Sequence, residues 1–146
     1  MITCLALSAS LDVTYLVDTL HLGGITRPRE VHRVAGGKGL NVARAAATLG
    51  APVRAVAPLG GEVGVLVSSL LLGSDIDLIA VDTVGQTRTC VSIAPDDDDR
   101  LTELYEPSEP LPASAWDAVV ASVRALPEDP GGWFVLSGSV APGVEL

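Results

Sequence analysis

The chain has 146 residues, of which 48% are hydrophobic, which is enough for one domain with its own core. A net charge of −9 argues against nucleic acid or an anionic membrane as a partner, because either would need a diffuse basic surface. Asp, Ser, Gly or Pro interrupts every long apolar run, so we predict no membrane span and expect a cytoplasmic protein. Cys4 and Cys90 lie in strand-like runs without a CxxC motif, and we expect buried free thiols.

The first half of the chain alternates between strands and helices after an early β excursion. Periodicity and the turn residues Gly24–Pro28, Gly50 and Gly73 set the boundaries. In chain order we predict strands Ile2–Ser8, Leu11–Val17 and Arg29–Val34, helix Leu40–Leu49, strand Val53–Leu59, helix Glu62–Leu72 and strand Asp77–Val81.

The second half begins with a predicted hairpin. Strands Arg88–Ala94 and Leu101–Tyr105 flank four consecutive aspartates, Asp96–Asp99, which we interpret as a solvated tip. A metal site is the weaker interpretation, because neighbouring carboxylates on an exposed turn diverge. Ser114 and Asp117 have capping-box spacing, which predicts a helix through about residue 125. A final strand, Trp133–Leu136, leads into a small polar loop, 137–143.

This order of elements predicts an α/β fold with a mostly parallel sheet and helices on both of its faces. Residues 11–34 and 83–106 do not follow the alternation of strands and helices, so we expect them to form a small separate β layer. We interpret that layer as a lid. Ligands gather at the carboxyl ends of parallel strands, and loop 137–143 is expected at the carboxyl end of the last strand.

The segment VAGGKGLNVARAAATLG is a glycine-rich turn that leads straight into a helix, an arrangement that favours an anion or a hydroxyl-bearing ligand. It is not a Walker A loop, because Gly39 follows Lys38 where Ser or Thr is needed. It is not a dinucleotide fingerprint either, since Val42 replaces the third glycine. Six of the nine basic residues surround this turn: Arg27, Arg29, Arg33, Lys38, Arg44 and Arg54.

The motif Gly36-Gly37-Lys38-Gly39-Leu40-Asn41-Val42-Ala43, followed by Gly50 and Gly60, resembles the first signature of the ribokinase-like sugar kinases, the phosphofructokinase B family. The segment Leu11–Tyr15, the pair Thr87-Arg88 and the loop Ser137-Gly138-Ser139 are most similar to the 1-phosphofructokinase and tagatose-6-phosphate kinase branch. The resemblance implies an α/β core with a β lid and ATP-dependent phosphoryl transfer to a sugar hydroxyl, with Mg²⁺ present. It covers the whole chain, 1–146, as the N-terminal half of one kinase domain.

The resemblance also implies the sugar-phosphate ligands. Asp12 and Asn41 would bind hydroxyls, and the Gly37 and Gly39 backbone would lie against the sugar. The substrate's existing phosphate would contact Lys38, Arg88, Arg27 and Ser139. Structural alternatives stay open: Asp12 capping a turn, Asn41 capping a helix, Arg27 as a solvated charge and Ser139 as a loop-forming hydroxyl.

The sequence departs from the family pattern at two places near these ligands. Ser8-Ala9-Ser10 replaces the usual Asn-Pro, and Tyr105-Glu106-Pro107-Ser108 replaces Asn-Glu-Pro-Gly, so the sugar is left open. The glycine-rich Gly-Ala-Gly-Asp segment, which supplies the anion hole, the catalytic aspartate and the nucleotide site, does not occur in the sequence. We therefore expect no catalytic residue or metal ligand in this chain, and no phosphoryl transfer by it alone.

Two functions from different classes follow. The first is the sugar-phosphate-binding half of an ATP- and Mg²⁺-dependent kinase, in a protein that forms a homodimer through its β lid. The second is a noncatalytic sugar-binding fragment or pseudoenzyme remnant. A kinase for an unphosphorylated sugar or nucleoside is disfavoured, because Lys38, Arg27 and Arg88 point to a phosphorylated substrate.

Overall fold

A computed structural model describes residues 1–143 of the chain as two four-stranded sheets and three helices. The strands are β1 Ile2–Leu5, β2 Ser10–Val17, β3 Glu30–Gly36, β4 Val53–Leu59, β5 Ile76–Asp82, β6 Arg88–Pro95, β7 Thr102–Tyr105 and β8 Trp133–Leu136. The helices are α1 Lys38–Thr48, α2 Gly61–Leu70 and α3 Ala113–Arg124.

The core sheet has the strand order β5-β4-β1-β8, and every neighbouring pair in it is parallel. Its central strands β1 and β4 are largely buried, which fits their mostly apolar sequences. Helices cover both faces. Cys4, Leu40 and Val67 share one cluster on the side of α1 and α2, whereas Val56 and Val119 share another on the side of α3. The predicted α/β architecture is therefore confirmed.

The second sheet has the order β3-β2-β6-β7 and is built from the two segments that fall outside the alternation. Its outer pairs are antiparallel, but the central pair β2–β6 is parallel. Along β2, the alternate residues Leu11 and Val13 join the apolar core, while Ser10 and Asp12 lie on the opposite face. The second sheet thus presents one apolar face to the core and one polar face away from it.

Two details of the helix starts differ from the sequence predictions. Helix α1 begins at Lys38, with Gly37 as its N-cap, so Asn41 is not a cap; its backbone N–H donates to the Gly37 carbonyl. Helix α3 begins one residue before Ser114, and the predicted capping box is wrong. The Pro112 carbonyl accepts bonds from the N–H groups of residues 115 and 116, which places the Ser114 hydroxyl inside the first turn.

The hairpin tip is confirmed, and its carboxylates diverge to separate partners. Asp96 accepts a 2.6 Å bond from Arg29, Asp97 accepts one from Thr19, and Asp98 pairs with Arg100. Both cysteines are buried free thiols, as predicted. In the described part of the chain, no helix combines the length and the apolar character needed to cross a membrane.

Candidate functional site

A pocket of about 260 Å³ lies where the core sheet meets the second sheet. The connection from β1 to β2, the end of β3, the start of α1 and the start of β6 all converge there. Its volume is close to the lower end of small-molecule sites, about 300 Å³. The lining residues are Ser10, Asp12, Gly37, Lys38, Asn41, Arg88, Cys90 and Tyr105.

Each of the three glycines in the loop 36–39 lies where a side chain would overlap a neighbouring group. A methyl group on Gly36 would overlap the Asp12 carboxyl group, so this glycine leaves room for the carboxylate. Gly37 has φ 91°, a conformation that favours glycine, and its Cα faces the Ser8 carbonyl. Gly39 is buried, and an added Cβ would lie 2.6 Å from the Ala6 Cα. Gly37 therefore lines the pocket, whereas Gly39 serves helix packing.

One row of side chains crosses the polar face of the second sheet. Asp12 on β2 is in register with Cys90 on β6, which is in register with Tyr105 on β7. The Ser10 hydroxyl, only 1% exposed, donates a 2.6 Å hydrogen bond to Asp12 Oδ1. This bond fixes one carboxylate oxygen and leaves the other able to accept from a ligand.

Arg88 enters the pocket from the first position of β6, in register with Ser10. Its guanidinium donates two long 3.4 Å bonds to the carbonyls of Ser8 and Glu106, and its buried Nε has no hydrogen-bond partner in the structure. Thr87 anchors this position, because it exchanges two 2.9 Å hydrogen bonds with the Gly60 backbone. Arg88 is thus held in place without a carboxylate partner among residues 1–143.

Lys38 and Asn41 are exposed residues of the first turn of α1. The Lys38 ammonium makes no hydrogen bond or ion pair within residues 1–143, and the Asn41 amide oxygen accepts a 2.6 Å bond from Arg44. Among the lining residues, Lys38 and Arg88 are cations and Asp12 is a carboxylate, while the nearby Glu106 carboxylate accepts a bond from the Thr89 N–H. Two cations beside a carboxylate and an amide suit an anionic ligand with hydroxyl groups.

The structure brings together five of the eight predicted site residues: Asp12, Gly37, Lys38, Asn41 and Arg88. Gly39 is buried behind the pocket wall. Ser139 is exposed in the loop after β8 and does not line the pocket, although a methyl group on its neighbour Gly138 would lie 2.9 Å from Lys38 Cβ. Arg27 is exposed in the β2–β3 connection, at the end of the second sheet away from the pocket.

The basic residues that cluster in the sequence do not cluster in space. Arg29 pairs with Asp96 at the distal end of the second sheet, and Arg54 pairs with Asp77 on the core sheet. Of the six, only Lys38 lines the pocket. Among the six clustered basic residues, the sequence therefore pointed to one pocket residue, Lys38. Arg29 and Arg54 form local ion pairs instead.

Sequence reasoning missed three lining residues, Ser10, Cys90 and Tyr105. For Ser10 and Cys90 a signal existed, because each lies two positions from a predicted ligand in a strand and so shares its face. Tyr105 had no such local signal. Its place depends on the pairing of β7 with β6 across the hairpin.

Comparisons with known proteins show which family the chain matches and which solved structures share its fold. The pfkB family of carbohydrate kinases matches residues 2–122. Phosphofructokinase-2 from Escherichia coli, solved with fructose-6-phosphate, superposes with a TM-score of 0.89 at 28% identity, over 99% of this chain and 47% of that one. Its tetrameric inhibited form gives a TM-score of 0.88, with the same identity and coverage.

A possible 1-phosphofructokinase from Thermotoga maritima has the same fold, with a TM-score of 0.84 at 22% identity over 99% of this chain and 46% of that one. The chain thus spans just under half the length of these solved structures. The family match covers most of the chain, and the chain therefore belongs to the pfkB family of carbohydrate kinases.

Proposed function

We propose that the chain carries the sugar-phosphate-binding half of a kinase that transfers the γ-phosphoryl group of ATP to a sugar phosphate, of the 1-phosphofructokinase or tagatose-6-phosphate kinase type. The observation that carries this proposal is the pocket in which Asp12 faces Lys38 and Arg88. Family membership and the fructose-6-phosphate complex of E. coli phosphofructokinase-2 support it.

The chemistry of the pocket fits both parts of such a substrate. The free carboxylate oxygen of Asp12 accepts from sugar hydroxyls, and the Asn41 amide both donates and accepts. Lys38 and Arg88 hold the phosphate that the substrate already carries, since charge-assisted bonds suit a doubly charged group. We assign Arg27 and Ser139 only secondary roles, because neither lines the pocket within one chain.

ATP and Mg²⁺ are the proposed cofactors of the reaction, and we propose that the described residues supply little of their site. Within residues 1–143 no group of three His, Cys, Asp or Glu side chains could hold a metal ion. We assign no lining side chain the role of the base that deprotonates the accepting hydroxyl. We therefore assign this chain to binding and orienting the sugar phosphate, and assign it no step of the transfer.

The second sheet is proposed to act as the lid, 11–34 with 83–106, and as the surface of a homodimer. Its polar face carries Asp12 and Tyr105 at the pocket, and its other face exposes Val31 and Leu104. The tetrameric form of phosphofructokinase-2 shows that this fold supports assemblies.

In the core sheet, edge strand β8 exposes Trp133 by 72% and Phe134 by 63%, as expected for a strand that further elements of a whole kinase cover.

The second candidate is a noncatalytic sugar-binding fragment or pseudoenzyme remnant, which the pocket residues Asp12, Lys38 and Arg88 would serve equally well. Both candidates bind a sugar phosphate in the same pocket. They differ in whether the bound substrate is presented to ATP.

Isothermal titration calorimetry tests the binding that both candidates share. The chain is titrated with fructose 6-phosphate, tagatose 6-phosphate, fructose 1-phosphate and unphosphorylated fructose. We expect one of the phosphates to bind with 1:1 stoichiometry, fructose to bind far more weakly, and Asp12→Asn to remove binding. Equal affinity for fructose and its phosphates would contradict the proposal, because Lys38 and Arg88 would then have no phosphate to hold.

A chimera separates the two candidates. Residues 1–143 replace the matching half of E. coli phosphofructokinase-2, to which they superpose with a TM-score of 0.89. We expect the chimera to consume ATP with a sugar phosphate, whereas the 146-residue chain alone does not. A folded chimera that binds the sugar phosphate but transfers nothing to it would favour the noncatalytic candidate.

A further inference from the structure

Tyr105 lines the pocket at a place where the chain departs from the pattern of its family resemblance, with Tyr in place of Asn. It is the last residue of β7 and lies in register with Cys90, which is itself in register with Asp12. The three side chains share one face of the second sheet. The aromatic ring therefore belongs to the same pocket wall as the carboxylate proposed to bind sugar hydroxyls.

The ring is both held in place and open. The Tyr105 hydroxyl donates a 2.7 Å bond to Glu103 Oε1, which also accepts a 3.3 Å bond from Ser92. The residue is nevertheless 59% exposed. Because the hydroxyl bond already restricts the Tyr105 rotamer, the ring loses little further side-chain entropy when a ligand binds. Packing of the exposed ring face against apolar surface of the ligand is therefore favourable.

We propose that Tyr105 is a specificity-determining residue whose ring packs against the C–H face of the bound sugar, so that the pocket favours a sugar phosphate over simple phosphate. This rests on the proposed function. Lys38 and Arg88 attract any phosphate, and Asp12 and Asn41 discriminate only by hydroxyl hydrogen bonds that water also offers. The Tyr105 ring adds an apolar contact that inorganic phosphate cannot make.

Leu104 provides a matched control. It precedes Tyr105 in β7, is 62% exposed, and lies on the opposite face of the strand. Truncation of either side chain removes a similar exposed apolar group from the same edge strand. Only the change at Tyr105 alters the pocket.

The experiment measures the Kd values of fructose 6-phosphate and inorganic phosphate by calorimetry for the chain and its variants, with circular dichroism as the fold check. Tyr105→Ala is expected to weaken fructose 6-phosphate about 10-fold, the scale of one buried apolar contact, and to leave phosphate unchanged. Tyr105→Phe and Leu104→Ala are expected to stay within about 2-fold of the unchanged chain. In the unchanged chain, NMR is expected to show Overhauser contacts between the Tyr105 ring protons and sugar protons.

The outcomes separate this inference from the proposed function. If Asp12→Asn abolishes binding but Tyr105→Ala does not weaken it, or if the ring shows no contact with sugar protons, the inference is wrong and the proposed function stands. If Tyr105→Phe weakens binding as much as Tyr105→Ala, the hydroxyl and not the ring is responsible, and the inference is again wrong. If the unchanged chain binds no sugar phosphate, both fail together.

Discussion

Ser10 Oγ donates a 2.6 Å hydrogen bond to Asp12 Oδ1, two positions along the same strand. Ser10 is buried and lies in register with Arg88. It is a positioning group, because its bond to one oxygen of Asp12 fixes the orientation of the carboxylate.

Replacing Ser10 by Ala is expected to weaken fructose 6-phosphate binding about 3- to 10-fold, the value of one hydrogen bond of about 0.5–1.5 kcal/mol. Calorimetry measures the change. Melting temperatures test the coupling, because Ser10→Ala should cost less stability in an Asp12→Ala background, where the Ser10 hydroxyl has no carboxylate to bond. Equal losses of stability in both backgrounds would show that Ser10 acts independently of Asp12.

Gly36→Ala is expected to reduce sugar-phosphate binding strongly, because the new methyl group would occupy the space of the Asp12 carboxyl group. Gly36 does not have a positive φ, so crowding and not backbone strain is the cause. Gly24→Ala is the control, since its Cβ would come no closer than 3.4 Å to another atom. In thermal melts, Gly36→Ala should lower the melting temperature less in an Asp12→Gly background than in the unchanged chain. Equal losses of stability in the two backgrounds would contradict the crowding argument.

The sequence predicted the order of elements and the glycine loop, because both depend on local periodicity and on glycine. It did not predict that β2 and β6 pair in parallel, which places Ser10 beside Arg88 and Asp12 beside Cys90. Pairing between distant segments is decided by burial of the whole apolar face of the second sheet, which no short window contains. For the same reason the sequence prediction included Arg27, which does not line the pocket of the single chain, and left out Tyr105, which does.

The thiols give a prediction on pH. Burial raises the pKa of Cys4 and of Cys90, and for Cys90 the nearby Arg88 opposes that rise only in part. Since the folded state prefers the neutral thiols, their contribution to stability is present below pH 9.0 and is lost as the pH rises above it. Alkylation needs the thiolate, so iodoacetamide should react slowly at pH 7 and faster above pH 9.

Mass spectrometry of the alkylated chain also tests the pocket. Cys90 lines the pocket and Cys4 does not, so fructose 6-phosphate should protect Cys90 selectively at high pH. Unphosphorylated fructose at the same concentration is the control and should protect much less. Equal protection of both thiols would indicate general stabilisation of the fold and not occupation of this pocket.

Lys38 provides the most direct test of what the glycine loop binds. Its ammonium makes no ion pair within residues 1–143, so Lys38→Met leaves no buried carboxylate unpaired and should not lower the melting temperature. If Lys38 holds the phosphate of the substrate, the loss is that of a charge-assisted bond, roughly 1.5–3 kcal/mol. The Kd for the sugar phosphate should then rise roughly 10- to 150-fold.

Arg124→Met is the matched control, because it removes the same charge from an exposed residue of α3 that lies outside the pocket. It should leave binding to the single chain unchanged, while Lys38→Met weakens it and affects unphosphorylated fructose little. In the kinase chimera, Lys38→Met should raise KM for the sugar phosphate and leave KM for ATP nearly constant, since the contact serves a group that does not react. A rise in KM for ATP alone would assign the glycine loop to the nucleotide, because a phosphate of the sugar would then have no contact with Lys38.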